Sequence, residues 1–215
     1  MDIFDKLGEI GIVPVIAIED AKDAIPLGEA LMKGGLPCAE ITFRTAAAEE
    51  SIRLMSKTFP DMIVGAGTVL TTEQVDRAVA AGAKFIVAPG CNPRIVRYCV
   101  ERNIPMAPGV ATASEIEQAL ECGVKRVKFF PAEANGGLPM IKALAAPYTD
   151  VTFMPTGGLN RDNVKAYLSY DRIFACGGTW MVKKDLISAG RFDEIENLAK
   201  EARDIVLSNR QSVSR

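Results

Sequence analysis

Residues 124–133 read Val-Lys-Arg-Val-Lys-Phe-Phe-Pro-Ala-Glu. The middle of this stretch is a short apolar run that contains one charged side chain, Lys128. Short and nearly continuous apolar runs are typical of parallel β-strands, because helices cover such strands on both faces. The stretch therefore predicts a buried parallel strand. A buried strand does not by itself account for the charged side chain of Lys128.

Seven further runs of the same kind are spread along the 215 residues. The predicted strands are Ile12–Ile18, Cys38–Phe43, Met62–Ala66, Lys84–Ala88, Ile104–Ala107, Arg126–Phe130, Val151–Met154 and Arg172–Cys176. Helical patterns between them predict helices over Ala21–Lys33, Thr72–Ala81, Pro93–Glu101, Ser114–Glu121, Arg161–Ser169 and Phe192–Ser208. Residues 209–215 are expected to form a short frayed tail.

This alternation predicts the fold class, α/β, and one domain over residues 1–215. Repeated strand and helix segments in a chain of this length favour a closed (β/α)8 TIM barrel. A doubly wound open sheet is the alternative. Its dinucleotide-binding form carries a GxGxxG motif after the first strand, and that motif is missing here.

Composition and charge exclude several classes of protein. The net charge of −2 provides no basic surface for nucleic acid. No apolar run is long enough to cross a bilayer, and the N-terminus, with Asp2, Asp5 and Glu9, lacks the basic region of a signal peptide. The five cysteines form no CxxC pattern, which indicates free thiols in a reducing cytoplasm. We therefore expect neither a nucleic-acid partner nor a membrane partner.

Histidine is absent from the chain. This absence removes nucleophile systems that depend on histidine, as well as histidine-based metal sites. Acid–base chemistry must then use carboxylates, lysine, tyrosine, cysteine or bound water. No metal site is predicted.

The second predicted strand carries two charged residues. Side chains alternate between the faces of a strand, so if the apolar residues Ala39, Ile41 and Phe43 face the helices, the others face the barrel interior. That second set is Cys38, Glu40, Thr42 and Arg44. A carboxylate and a guanidinium inside a barrel are costly unless they are paired or functional. The alternative to a functional site is a buried structural ion pair.

The sixth predicted strand places a lysine inside the barrel by the same argument. If Val127 and Phe129 pack on helices, Lys128 points inward. Burial disfavours the charged form of an amine, and the neutral amine is the form that attacks a carbonyl carbon. The alternative is a lysine whose ammonium group reaches solvent, which is the more common arrangement.

Turns with glycines and hydroxyls follow three strands. They are residues 65–68 (Gly-Ala-Gly-Thr), 155–158 (Pro-Thr-Gly-Gly) and 177–179 (Gly-Gly-Thr). Glycine allows backbone N–H groups to approach an anion closely, and barrels often bind phosphate after strands seven and eight. The alternative is a set of tight turns without a ligand.

An inward lysine, a glutamate, an arginine and an anion-binding turn fit one reaction class. Lys128 would add to a ketone and form an imine, whose protonated form accepts electrons during C–C cleavage. Glu40 would transfer protons, and Arg44 would bind a carboxylate through two hydrogen bonds. The iminium does the electrophilic work of a metal, so no cofactor is predicted apart from the covalent imine.

The sequence resembles a known family over nearly its full length, from Ile12-Val-Pro-Val15 to the last helix. The family is that of the bacterial 2-keto-3-deoxy-6-phosphogluconate (KDPG) and 2-keto-4-hydroxyglutarate (KHG) aldolases. The motifs that carry the resemblance are Glu40-Ile-Thr-Phe-Arg-Thr45, Gly65-Ala-Gly-Thr-Val-Leu70, Ala88-Pro-Gly90, Lys128-Phe-Phe-Pro-Ala-Glu-Ala-Asn-Gly-Gly137 and Pro155-Thr-Gly-Gly158.

The resemblance implies a role for each site residue. Lys128 is implied as the Schiff-base lysine and Glu40 as the general acid and base. Arg44 and Thr68 are implied to hold the pyruvate carboxylate, and Pro89 and Phe130 to shape the pocket. The residues implied to bind the distal phosphate or carboxylate are Thr156, Gly157, Gly158 and Thr179. The implied partner is a phosphorylated 2-keto acid, and the implied assembly is a homotrimer.

One departure bears on the substrate. Family members committed to KDPG commonly carry serine where this sequence has Thr179, and the added methyl group can change the fit. KDPG, its galactonate epimer and KHG therefore all stay open as substrates. Two different functions also stay open. One is a phosphate-binding barrel isomerase or synthase in which Lys128 acts only as an electrostatic clamp, and the second is a catalytically silent binding barrel.

Overall fold

Short parallel strands alternate with helices along the chain. The structure, a computed structural model, describes residues 2–213, and the side chains of residues 2–210. Its strands are β1 (Ile12–Ile16), β2 (Cys38–Thr42), β3 (Ile63–Gly67), β4 (Ile86–Val87), β5 (Met106–Ala107), β6 (Gly109–Val110), β7 (Arg126–Phe129), β8 (Thr152–Pro155) and β9 (Cys176–Gly178).

The helices include one that precedes the first strand. They are α1 (Ile3–Ile10), α2 (Ala24–Lys33), α3 (Ala48–Thr58), α4 (Thr72–Ala80), α5 (Pro93–Glu101), α6 (Ala113–Glu121), α7 (Gly137–Ala145), α8 (Val164–Leu168), α9 (Lys184–Ser188) and α10 (Phe192–Val213). Short 3-10 helices cover Ala21–Asp23 and Glu133–Asn135. No helix within residues 2–213 is both long enough and apolar enough to cross a membrane.

The strands follow one another around a barrel in the order of the chain. One sheet has the order β5-β4-β3-β2-β1-β9, a second has the order β6-β7-β8, and all pairings are parallel. Only Pro108 separates β5 from β6, and because proline has no N–H, it interrupts a single barrel strand. Thr156, just after β8, bridges to Gly177 of β9. The two sheets thus join at both edges, and the predicted (β/α)8 barrel is confirmed.

The eighth predicted strand lies in a different place from the observed one. The apolar run predicts Arg172–Cys176, whereas β9 covers Cys176–Gly178 and pairs with β1. Glycine weakens isolated strands, so a glycine pair is expected in a turn. Here a Cβ atom at Gly178 would lie 2.0 Å from the Trp180 ring, so glycine allows the ring to take its present position. The position of this strand is set by its pairing with β1, and a local sequence pattern holds no information about that pairing.

The helix predictions are correct where capping signals are strong. α5 begins and ends at the predicted Pro93 and Glu101, and the Asn92 side chain accepts a hydrogen bond of 3.1 Å from the Arg94 N–H. α8 covers only the middle of the predicted Arg161–Ser169. The pattern does not predict α1, α3, α7 or α9, and α7 contains Gly137 and Pro139, which favour a loop.

The predicted frayed tail is wrong for residues 209–213, because α10 continues to Val213. Tertiary contacts hold the end of this helix. Asn209 is 5% exposed and accepts a hydrogen bond of 2.8 Å from the Ser169 hydroxyl. Earlier in the same helix, Arg203 donates a hydrogen bond of 3.0 Å to the Ile10 carbonyl. Residues 214–215 lie outside the described residues.

The amino-terminal ends of the strands are covered by α1. Phe4 and Leu7 of this helix are buried. Arg126, the first residue of β7, lies 2.5 Å from Asp5 and 3.5 Å from Asp2. Its guanidinium carbon is 6.0 Å from the Phe4 ring centre and 5.8 Å from that of Phe174. This end of the barrel is therefore closed by paired charges and aromatic rings, which leaves the opposite end for the site.

Candidate active site

A lysine and a glutamate meet inside the barrel. Lys128 lies in β7, in register with Gly109 of β6 and Met154 of β8. Its Nζ is 3.1 Å from Oε1 of Glu40, and the two side chains are 6% and 0% exposed. Strand alternation turns both side chains inward, as predicted, and the two strands bring the amine and the carboxylate into hydrogen-bonding contact.

Glu40 is closely packed, yet half of its carboxylate lacks a partner. A Cβ atom at Gly67 would lie 2.1 Å from Glu40 Oε1, so only glycine leaves room for the carboxylate. Oε1 accepts the hydrogen bond from Lys128. Oε2 is buried and has no hydrogen-bond partner among the described residues. An unpaired buried carboxylate oxygen is costly, so this atom is suited to exchange a proton with a bound molecule.

The guanidinium of Arg44 follows the carboxyl end of β2. Its Nε donates a hydrogen bond of 3.1 Å to the Thr42 hydroxyl, which donates one of 2.8 Å to the Ile16 carbonyl. No carboxylate within residues 2–210 forms an ion pair with Arg44. Thr68, after β3, has a φ of 56°, which is uncommon for threonine. A cation without an acidic partner beside threonine hydroxyls is suited to bind a carboxylate.

A turn after β8 presents unpartnered donors. The Thr156 hydroxyl oxygen is buried without a hydrogen-bond partner among the described residues, and a Cβ atom at Gly177 would lie 2.2 Å from it. Gly157 and Gly158 have φ of 101° and 82°. Their N–H groups donate to no acceptor in the part of the chain that the structure describes. Successive free N–H groups in such a turn can surround an anion.

Apolar groups close the space around the amine. The Lys128 Nζ is 5.3 Å from the centre of the Phe130 ring. Pro89, Val15 and Leu159 line the same cavity. Apolar walls exclude water, and exclusion of water strengthens electrostatic interactions between the polar groups that remain.

All predicted site residues line one cavity of about 140 Å³. They are Lys128, Glu40, Arg44, Thr68, Pro89, Phe130, Thr156, Gly157, Gly158 and Thr179. The cavity is also lined by Thr42, which strand alternation predicts to face inward, and by Gly177 of the predicted turn at residues 177–179. The close contact with the Thr156 hydroxyl explains why residue 177 is a glycine. Val15 and Leu159 line it as well, and the sequence assigns no role to these two. Val15 and Leu159 carry no signal that distinguishes them from core residues.

Other reactive side chains lie outside this arrangement. All five cysteines are free thiols, as predicted. Burial raises the pKa of the Cys38 and Cys176 thiols above their ordinary value, so these thiols stay protonated and are poor nucleophiles. No group of three or more His, Cys, Asp or Glu side chains within residues 2–210 is arranged to hold a metal ion.

Comparison with known proteins identifies the family. The sequence model for KDPG and KHG aldolase matches residues 3–198. A 2-dehydro-3-deoxy-phosphogluconate aldolase of Haemophilus influenzae is 52% identical over 204 residues, which are 95% of this chain and 96% of that protein. The KHG/KDPG aldolase of Escherichia coli is 41% identical over 191 residues, 89% of this chain and 90% of that protein.

A solved structure agrees with the sequence matches. The KDPG aldolase of Legionella pneumophila superposes with a TM-score of 0.88, at 39% identity, over 92% of this chain and 96% of that chain. In that structure pyruvate is captured as a covalent carbinolamine intermediate. The predicted family and the predicted enzyme class, an aldehyde-lyase, are thus confirmed: the chain belongs to the KDPG and KHG aldolase family.

Proposed function

We propose that this chain is a class I aldolase that reversibly cleaves KDPG to pyruvate and glyceraldehyde 3-phosphate, with Lys128 as the nucleophile. One observation carries the proposal. A buried lysine contacts a buried carboxylate at 3.1 Å, and the second oxygen of that carboxylate has no partner among the described residues. A structural ion pair would satisfy both oxygens, whereas a catalytic pair leaves one for the substrate.

Imine formation follows from this geometry. Glu40 takes a proton from Lys128 along the 3.1 Å hydrogen bond, and the neutral Nζ attacks the C2 carbonyl of the substrate. The resulting carbinolamine loses water after Glu40 returns a proton to the departing hydroxyl. The product is an iminium that joins Nζ to C2.

Cleavage of the C–C bond and release of the products require further proton transfers. A base removes the proton of the C4 hydroxyl, the C3–C4 bond breaks, and its electron pair moves into the iminium to give an enamine. The aldehyde leaves. We assign the base to Glu40 Oε2, acting directly or through a water molecule. Protonation of the enamine at C3 and addition of water to C2 then release pyruvate and regenerate Lys128.

The remaining site residues bind the two anionic ends of the substrate. Arg44 and Thr68 would hold the C1 carboxylate, because Arg44 has no carboxylate partner within residues 2–210. Pro89 and Phe130 would position the carbon chain against the amine. The distal phosphate would bind the N–H groups of Gly157 and Gly158, together with hydroxyls of Thr156 and Thr179.

KHG, which would give pyruvate and glyoxylate, is the second candidate substrate. Its distal carboxylate suits the same donors, and one relative is a KHG/KDPG aldolase. Threonine at position 179, in place of the serine common in members committed to KDPG, leaves the galactonate epimer of KDPG open as well. Rates with KDPG, its epimer and KHG, measured side by side, rank the three. We expect KDPG to have the highest kcat/KM.

We also propose that the enzyme works without a cofactor, as a homotrimer in the cytoplasm, on a small phosphorylated keto acid and not on nucleic acid or membrane. The iminium supplies the electron acceptor that a cofactor or metal would supply. Free thiols at all five cysteines suit a reducing compartment. Light scattering coupled to size exclusion measures the assembly, and a mass other than three chains would refute the trimer.

Borohydride trapping tests the central proposal. The protein is incubated with pyruvate, reduced with borohydride and digested, and the modified peptide is identified by mass spectrometry. We expect an adduct at Lys128 and none in Lys128→Ala. Lys125→Ala is the matched control, because Lys125 lies in the same segment but pairs with Asp150 at the surface. A folded parent protein that gives no adduct would refute the imine mechanism and would favour an isomerase or synthase in which Lys128 is only an electrostatic clamp.

A further inference from the structure

In the turn after β8, at residues 156–158, three consecutive carbonyl groups point away from the cavity. The Thr156 carbonyl accepts a hydrogen bond of 2.8 Å from the Ala132 N–H, and the Gly157 carbonyl accepts one of 3.1 Å from the Glu133 N–H. The Gly158 carbonyl accepts one of 3.2 Å from the side-chain amide of Asn163. Each carbonyl of the turn therefore has a donor that belongs to a neighbouring segment.

These bonds determine where the N–H groups of the turn point. In a planar trans peptide the C=O and the following N–H point in opposite directions. With the carbonyls of residues 156, 157 and 158 fixed outward, the N–H groups of Gly157, Gly158 and Leu159 face the cavity, which Leu159 also lines. Both glycines have positive φ, and glycine adopts either sign of φ at little cost. The outer hydrogen bonds, and not side-chain sterics, must keep these peptides from flipping.

Glu133 is in turn fixed by contacts on the side away from the cavity. Its Cβ and Cγ lie 2.6 Å from where a Cβ atom at Gly158 would be. Its carboxylate accepts a hydrogen bond from the hydroxyl of Tyr167, a residue of α8 that is 2% exposed. Burial, together with this carboxylate, raises the pKa of Tyr167 above its ordinary value, at which the hydroxyl is already a donor at neutral pH. Asn163, at the residue before α8, supplies the other support.

We propose that Asn163 and the Glu133–Tyr167 pair are positioning residues that fix the anion-binding orientation of the turn at residues 156–158. None of the three lines the cavity, so they act through the turn and do not touch the substrate. The inference rests on the proposed function, because it assumes that the distal anion of the substrate binds the N–H groups of this turn. If the inference holds, residues that do not contact the substrate also determine its specificity.

Paired substrates isolate the effect on the distal anion. KDPG and 2-keto-3-deoxygluconate differ only by the phosphate, so a change at the turn should raise KM for the first and leave the second unchanged. In Asn163→Ala, which removes the donor without adding charge, we expect KM for KDPG to rise roughly tenfold. We expect kcat for KDPG, and both constants for 2-keto-3-deoxygluconate, to change less than about twofold. Inhibition by inorganic phosphate should weaken in parallel.

Tyr167→Phe gives a second, milder test, because it removes one hydroxyl and keeps the ring that packs in the core. We expect KM for KDPG to rise about threefold to fivefold. Tyr148→Phe is the matched control, since Tyr148 donates a hydrogen bond of 2.8 Å to Glu117 far from the cavity. Its KM for both substrates should equal that of the parent enzyme.

The outcomes separate this inference from the proposed function. If pyruvate and borohydride give no adduct at Lys128 in the parent enzyme, the proposed function fails. If the adduct forms but Tyr167→Phe and Asn163→Ala alter both substrates equally, or alter kcat alone, the positioning role is overturned. A parent enzyme with equal KM for the two substrates would overturn it as well. If Asn163→Ala does not fold, Tyr167→Phe decides alone.

Discussion

The two ends of the barrel differ in whether their polar side chains have partners. At the amino-terminal end, Arg126 is paired with Asp5 and Asp2 and lies near two aromatic rings. At the carboxyl-terminal end, Glu40 Oε2 and the Thr156 hydroxyl are buried without partners among the described residues. A folding chain gains stability from the first arrangement and loses it from the second.

The difference indicates which end is shaped by ligand binding. An unsatisfied buried polar group costs about 1–3 kcal/mol, and such groups cluster where a ligand supplies the missing partner. In a barrel of this type, catalytic residues lie at the carboxyl-terminal face, and the opposite face serves stability. Substitutions at the two ends should therefore separate activity from stability.

Lys128→Ala should have the largest effect on activity. Without the amine no imine can form, so we expect aldol cleavage to fall below detection while the circular dichroism spectrum stays that of the parent. A coupled pyruvate assay measures the cleavage. Substantial residual turnover would remove Lys128 from the mechanism, and an aggregated variant would show that this residue is needed for the fold.

Glu40→Gln should have the next largest effect. The amide keeps the shape and a hydrogen-bonding oxygen, but it cannot exchange protons. We expect turnover to fall by roughly 10²–10⁴-fold, with slow formation of the borohydride-trapped adduct retained. Turnover close to that of the parent enzyme would assign the acid–base role to another group.

Thr156→Val should change activity and stability in opposite directions. The substitution keeps the shape of the side chain and removes a hydroxyl that has no partner among the described residues. We expect kcat/KM for KDPG to fall by up to about tenfold and the free energy of unfolding to rise by about 1 kcal/mol. Urea denaturation measures the second effect. A less stable variant would mean that this hydroxyl has a partner in solution.

Arg126→Met should have the smallest effect on activity. It removes the contacts to Asp5 and the two rings, so we expect Tm to fall by roughly a few degrees with kcat/KM unchanged. A hydrogen bond from Arg126, followed by one from the Asp2 N–H, lowers the pKa of Asp5 below its ordinary 3.8. That contribution to stability is present above about pH 4 and is lost as the pH falls. The variant should therefore lose less stability between pH 5 and pH 3, which thermal melts would show.

Local sequence patterns determined much of the site. The two-residue period of a strand places Glu40, Thr42 and Arg44 on one face of β2, and the same period places Lys128 inward from β7. Asn92 and Pro93 mark the start of α5 because capping depends on adjacent residues. Glycines beside hydroxyls in residues 155–158 mark a turn that can bind an anion. Each of these signals acts over a few residues, so it can be read without the fold.

Only the tertiary structure decided the rest, because it depends on contacts between residues far apart in the chain. Lys128 and Glu40 are separated by 88 positions, and their contact requires both strands and the empty space at Gly67. The shift of β9 onto Gly177 and Gly178, and the extension of α10 to Val213, follow from packing against distant partners. Local patterns determine which way a side chain faces, whereas closure of the barrel determines which group it meets.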